Sequence, residues 1–157
     1  MSNQVYNWKR FWCSRTGSFN LSDSGYLADL DSEWGHFYNP DVKSFESITT
    51  IPCLVLLGEP GIGKTRAMQT AQNAIQGNIK EEGGQIFYLD LRSCGTDMML
   101  VRNLFENTAF LSWAREKHRL HVFLDSLDEC LLRIDTLAAL LVHEFKKYPV
   151  DRMYLRI

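Results

Sequence analysis

The sequence predicts an α/β fold: a parallel sheet whose strands are joined by crossover helices. Three observations carry that expectation. An apolar run at residues 53–57 breaks at a glycine-rich turn, residues 58–65 (G-E-P-G-I-G-K-T), and a helical period follows at once. Strand-like and helix-like stretches then alternate along the rest of the chain. A second, mostly apolar run at residues 121–124 ends in a carboxylate, Asp125, with Asp128 and Glu129 just beyond it.

Taken in order, residues 53–57 form the first strand. A helix is expected over residues 64–75, with Ala67, Met68, Ala71 and Ile75 on one face. Gly77, Gly83 and Gly84 bracket the connection to a second strand at residues 85–91. Asp97 can cap a helix carrying Met98, Val101, Leu104 and Phe105, and residues 110–117 add another turn or two. The third strand, 121–124, runs into Asp125. Residues 130–147 read as the clearest helix, because Leu131, Ile134, Ala138, Leu141, Val142 and Phe145 keep a 3.6-residue period. Lys146 and Lys147 suit the negative end of its dipole, and Pro149 follows its end. Residues 152–157 look like the beginning of a fourth strand.

Residues 1–50 are a leader of unclear fold. Val5, Trp8, Phe11 and Trp12 fall at helical spacing with Lys9 and Arg10 between them. Aromatics beside basic residues can stack nucleic-acid bases, but a helix packing onto a core is the favoured reading, because no wider basic surface accompanies them. Turn signals occur at Gly17-Ser18, from Ser22 to Gly25, and at Asn39-Pro40, and Asp29, Asp31 and Glu33 read as a solvated acidic loop.

The totals set bounds on function. A chain of 157 residues is one domain's worth of sequence, enough to bury close to about 70% of its unfolded surface. A net charge of −2 without a lysine- or arginine-rich block leaves no electrostatic footprint for nucleic acid or an anionic membrane. The four cysteines are widely spaced with no C-x-x-C pair, which disfavours zinc and dithiol chemistry and favours a reducing compartment. No apolar run approaches about eighteen residues, and the start, M-S-N-Q, is not a signal peptide. A cytoplasmic protein is expected.

The turn at residues 58–65 fits G-x-x-x-x-G-K-[ST], the phosphate-binding loop. Gly58, Gly61 and Gly63 let the backbone turn tightly and aim N–H groups at phosphate oxygens, with Glu59, Pro60 and Ile62 completing the loop. Lys64 supplies a mobile cation for the β- and γ-phosphates, and the Thr65 hydroxyl is a hard oxygen ligand for Mg²⁺. The following helix points its positive dipole end at the same phosphates. Arg66 can touch a phosphate or simply face solvent. Asp125, at the end of a buried strand, is the second Mg²⁺ candidate. Asp128 and Glu129 lie within reach of a water in line with the γ-phosphate, where a carboxylate can orient it and accept its proton. Glu129 is the preferred base, and the alternative is that one of the pair only caps the next helix. His36, His118, His121 and His143 make no triad or metal spacing with the cysteines.

Together, G-E-P-G-I-G-K-T and the apolar strand followed by D-S-L-D-E resemble the NACHT-type branch of the STAND ATPases, P-loop NTPases of the ASCE-like kind. In that family the residue after the magnesium aspartate is small, here Ser126, and a second acidic cluster lies three positions on, here Asp128-Glu129. The resemblance covers residues 51–157 well and the leader more vaguely. It implies Walker A and Walker B motifs, ATP and Mg²⁺ as ligand and cofactor, slow hydrolysis, and a signalling switch of the type found in bacterial defence. It also implies a sensor arginine after the fourth strand, a fifth strand and a lid, none of which the sequence contains. The expectation is therefore the N-terminal piece of a longer protein or a truncated reading frame, with a partial domain at residues 51–157, weak or inactive in hydrolysis by itself. Its expected partners are further domains or copies of itself, one of which could supply an arginine.

Two other functions compete. A P-loop kinase or GTPase is disfavoured because N-K-x-D is absent, because Asp128 stands where GTPases place glycine, and because no acceptor pocket or basic lid is evident. A non-enzymatic nucleotide-binding or oligomer-forming fragment is the other, on the argument that an unfinished last strand leaves a sheet edge open to pairing.

Overall fold

The computed structural model describes residues 9–21 and 24–157. The chain divides into two compact units, residues 1–50 and 51–157. In the first unit, β1 (Phe11–Cys13) pairs antiparallel with β2 (Val42–Ser44). The expected aromatic helix is therefore corrected: Phe11 and Trp12 are strand residues, and Val5 and Trp8 lie outside the described residues. A three-and-four spacing fits a helix, but a run of β-favouring side chains takes the extended form when a partner strand is present. Trp12 meets the Phe45 ring edge-on at 6.0 Å. Short helices α1 (Glu33–Tyr38) and α2 (Phe45–Ile48) start at Ser32 and Ser44, whose hydroxyls accept N–H groups of the first turn. Asp29 and Asp31, both exposed, pair with Lys9. Of the turn expected from Ser22 to Gly25, Ser24 and Gly25 are left-handed, and the first two residues lie outside the described ones.

The second unit is α/β, as expected. Its four strands, β3 (Cys53–Leu54), β4 (Gln85–Asp90), β5 (Leu120–Asp125) and β6 (Met153–Arg156), are all parallel and lie in the order β3-β6-β5-β4. β4, β5 and β6 are each reached by a helical crossover. The helices are α3 (Lys64–Glu82), α4 (Asp97–Leu100) running into a π-helical turn (Val101–Phe105), α5 (Thr108–Arg115) and α6 (Ile134–Phe145). β6 sits between β3 and β5. The last strand thus fills the interior of the sheet, and the edges among the described residues are β3 and β4, which corrects the expectation of an open edge at the chain's last strand.

Alternation along β5 sorts the two faces. Leu120, Val122 and Leu124 are fully buried against a cluster that includes Leu100, Leu104, Phe105, Phe110, Trp113, Leu137, Leu141 and Phe145 from the crossover helices. Phe123 and Asp125 point to the opposite face, where α3 supplies buried Ala67, Met68 and Ala71. Register puts Tyr88 beside Phe123 and Asp90 beside Asp125 on that same face. The sheet thus carries its apolar bulk on one side and its polar strand ends towards α3.

Several element boundaries differ from the sequence expectation for physical reasons. Helix α3 runs through Gly77 to a left-handed cap at Gly83, because a single glycine weakens a helix without ending it. Thr96, not Asp97, caps α4. Helix α6 starts at Ile134, and its buried face is Leu137, Leu141 and Phe145. Leu131, Ile134, Ala138 and Val142 are exposed. Strand β3 is short and half-covered: Leu56 is buried, and its N–H donates to the Ile157 carbonyl at 2.7 Å, whereas Val55 and Leu57 are exposed. Among the described residues, no helix is long and apolar enough to cross a membrane.

Candidate functional site

The 58–65 loop leaves the end of β3, and its backbone explains its glycines. Gly61 and Gly63 have φ of +83° and +97°, where a side chain is strained. Gly58 serves closeness instead, since a Cβ there would lie 3.1 Å from the Ile62 side chain. Gly63 caps α3, whose first turn holds no acidic residue, so its free N–H groups and positive dipole end are not neutralised from within. Lys64 folds back over the loop: its Nζ donates to the carbonyls of Gly58 at 2.7 Å and Glu59 at 3.4 Å, and to Asp128 Oδ2 at 3.4 Å.

Asp125, at the end of β5, is only 4% exposed. A buried carboxylate needs donors, and this one has three. The Thr65 hydroxyl donates to Oδ1 at 3.2 Å, the Ser126 N–H to Oδ1 at 2.8 Å, and the Tyr88 hydroxyl to Oδ2 at 3.0 Å. Burial, with the bond to Asp125 second, pushes the Tyr88 hydroxyl up to about 12, so it remains a donor at neutral pH. Ser126 then takes a left-handed conformation at φ 61°, which costs a non-glycine residue about 1 kcal/mol. That sharp turn carries Leu127–Glu129, a single 3-10 turn, back over the strand end.

The two acids on this turn diverge. Asp128 goes to Lys64, while Glu129 Oε2 accepts from Arg92 Nη1 at 3.5 Å. Arg92 lies just past the end of β4. It is anchored on Asp90, with Nε 3.0 Å from each carboxylate oxygen and Nη2 2.6 Å from Oδ2. The guanidinium holds the Asp90 carboxyl below the usual carboxylate range.

Lys64, Thr65, Asp125, Asp128 and Glu129 share one cavity of about 590 Å³ at the carboxyl ends of the strands, and Tyr88, Asp90 and Arg92 are not part of its lining. Pro60, Gly61, Gly63, Lys64, Thr65 and Arg66 line one side, Gln69, Thr70 and Asn73 continue along α3, and Asp125, Ser126, Asp128 and Glu129 face them. Gly58 borders a smaller, mostly apolar cavity of about 230 Å³. Glu59 and Ile62 stand outside the larger lining. Two hard oxygens, Thr65 Oγ1 and Asp125 Oδ1, thus stand 3.2 Å apart on the cavity wall. Among the described residues, no three His, Cys, Asp or Glu side chains gather as a metal cage. Mg²⁺ does not require one, since it takes one or two protein oxygens and keeps waters and phosphates for the rest. The residues present therefore fit a Mg²⁺ ion.

Tyr88, Arg92 and the polar face of α3 were not legible as site residues. The positions of Tyr88 and Arg92 depend on β4 lying beside β5, and no local pattern signals that pairing. Among the histidines, His118 lies between Gln85 and Glu116, and His121 stacks on Tyr154. No protein-family model matches the chain, and neither a curated protein nor a solved structure gives a significant match to it.

Proposed function

We propose that residues 51–157 bind Mg²⁺-ATP in the 590 Å³ cavity and hydrolyse it slowly, as a P-loop module of the NACHT-type STAND kind. The observation that carries this reading is the meeting of Lys64 and Thr65 with Asp125, Asp128 and Glu129 around one cavity, from two strands far apart in sequence. The strand order supports it. β3 and β5 are second neighbours, roughly 10 Å apart, and the crevice beyond their carboxyl ends is where open α/β sheets take ligands.

In this reading the N–H groups at the start of α3 hold the phosphates, and Lys64 exchanges the Gly58 and Glu59 carbonyls for β- and γ-oxygens. Thr65 and Asp125 would hold Mg²⁺, which would supply neutralisation of phosphate charge. Tyr88 and Ser126 fix the Asp125 carboxylate. Glu129 orients the attacking water and takes its proton as the water oxygen bonds to the γ-phosphorus and the bridging bond to ADP breaks. Asp128, already paired with Lys64, is the weaker candidate for that proton. A further cation at the γ-phosphate would come from a second copy or another domain. The wide cysteine spacing fits a reducing compartment such as the cytoplasm.

Competition against a fluorescent ATP analogue tests the nucleotide class. ATP is expected to displace it at least about tenfold more tightly than GTP. Equal or tighter displacement by GTP would move the protein to the GTPase class.

A further inference from the structure

The proposed hydrolysis leaves one contact unused. Glu129, the carboxylate assigned to the attacking water, is held by Arg92, on the side away from the phosphate loop. The sheet order makes this geometric. The loop issues from β3 at one edge, Arg92 follows β4 at the other, and Glu129 follows β5, next to β4. Its neighbour Asp128 turns the opposite way, to Lys64. Adjacent acids are thus drawn to two cations on opposite sides of the site.

We propose that Arg92 is a positioning residue that restrains hydrolysis by holding the Glu129 carboxylate towards β4, away from the water it must activate. This inference rests on the ATPase reading above. The two halves of the device differ in strength. Asp90 grips the guanidinium through Nε and Nη2 and accepts the Arg92 N–H as well, so the cation stands on a fixed mount. The contact to Glu129 is a single bond at 3.5 Å between groups that are each more than half exposed, 56% and 59%. Exposed pairs of that kind are weak and exchange with solvent readily. Glu129 can therefore leave Arg92 when a nucleotide rearranges the site, and Arg92 itself stays with Asp90. The restraint is modest by construction: it lowers the fraction of time Glu129 faces the water without blocking the cavity.

The test is single-turnover phosphate release from Mg²⁺-ATP by the full chain, comparing the parent with Arg92→Gln and with Arg92→Lys. Arg92→Gln is expected to raise the rate about two- to fivefold, the range an exposed ion pair spans, with the ATP concentration for half-saturation unchanged. Arg92→Lys, whose single ammonium cannot both keep the two-point Asp90 mount and reach Glu129, should be raised as well. In a Glu129→Gln background the Arg92→Gln effect should vanish. A lower or unchanged rate in Arg92→Gln, or an effect that survives in Glu129→Gln, overturns the restraint. Failure of the ATPase reading shows separately, as a parent that does not bind Mg²⁺-ATP.

Discussion

Replacing Lys64 with Ala is expected to weaken Mg²⁺-ATP binding by about 10²–10⁴-fold. The magnitude follows from two charge-assisted phosphate contacts, each contributing about 1.5–3 kcal/mol. The fold should survive the change. Among the described residues the ammonium bonds to the Gly58 and Glu59 carbonyls and to Asp128, all at the exposed rim, where water replaces it. Equilibrium binding, with far-UV circular dichroism as the control for folding, separates the two effects. A variant that binds Mg²⁺-ATP as well as the parent would mean that the 58–65 loop does not hold the phosphates.

Glu129→Gln is expected to lower the rate of phosphate release by about 10²–10⁴-fold while leaving ATP affinity within a few-fold of the parent. The amide keeps the size and loses the basic oxygen, and Glu129 bonds to no group of the loop, so nucleotide binding has little to lose. Asp128→Asn should cost less in rate. It should also change ATP affinity, because Asp128 competes with phosphate for Lys64 at 3.4 Å. The reverse pattern, with Asp128→Asn inactive and Glu129→Gln active, would exchange the two roles and remove the ground for the Arg92 restraint.

The parts of this site that were readable in the sequence are those in which one short stretch must satisfy a local geometric demand. Gly61 and Gly63 are legible because their left-handed φ values strain any residue with a side chain, and Asp125 because a buried strand ends on it. Its pairing with Thr65 was readable too, but its bond to Tyr88 was not. Tyr88 and Arg92 reach Asp125 and Glu129 only because β4 pairs with β5 in the register that sets Asp90 beside Asp125. The same division holds for the fold. The alternation of strands and helices was legible, but which face of α6 is buried was not. Its period admits Ile134 and Val142 as readily as Leu137, and only the sheet and the α4–α5 layer choose between them. In the leader, helical spacing of aromatics was overridden by a strand partner some thirty residues away, between Phe11–Cys13 and Val42–Ser44.

The central claim is that the loop and the strand-end carboxylate together form a Mg²⁺-nucleotide site. Calorimetric titration of ATP into the parent protein, with Mg²⁺ and again with the metal chelated, tests it most directly. The account predicts a single saturable site whose affinity falls at least about tenfold without Mg²⁺, since Thr65 and Asp125 act on the nucleotide only through the metal. No binding heat, or the same affinity with and without Mg²⁺, would contradict it.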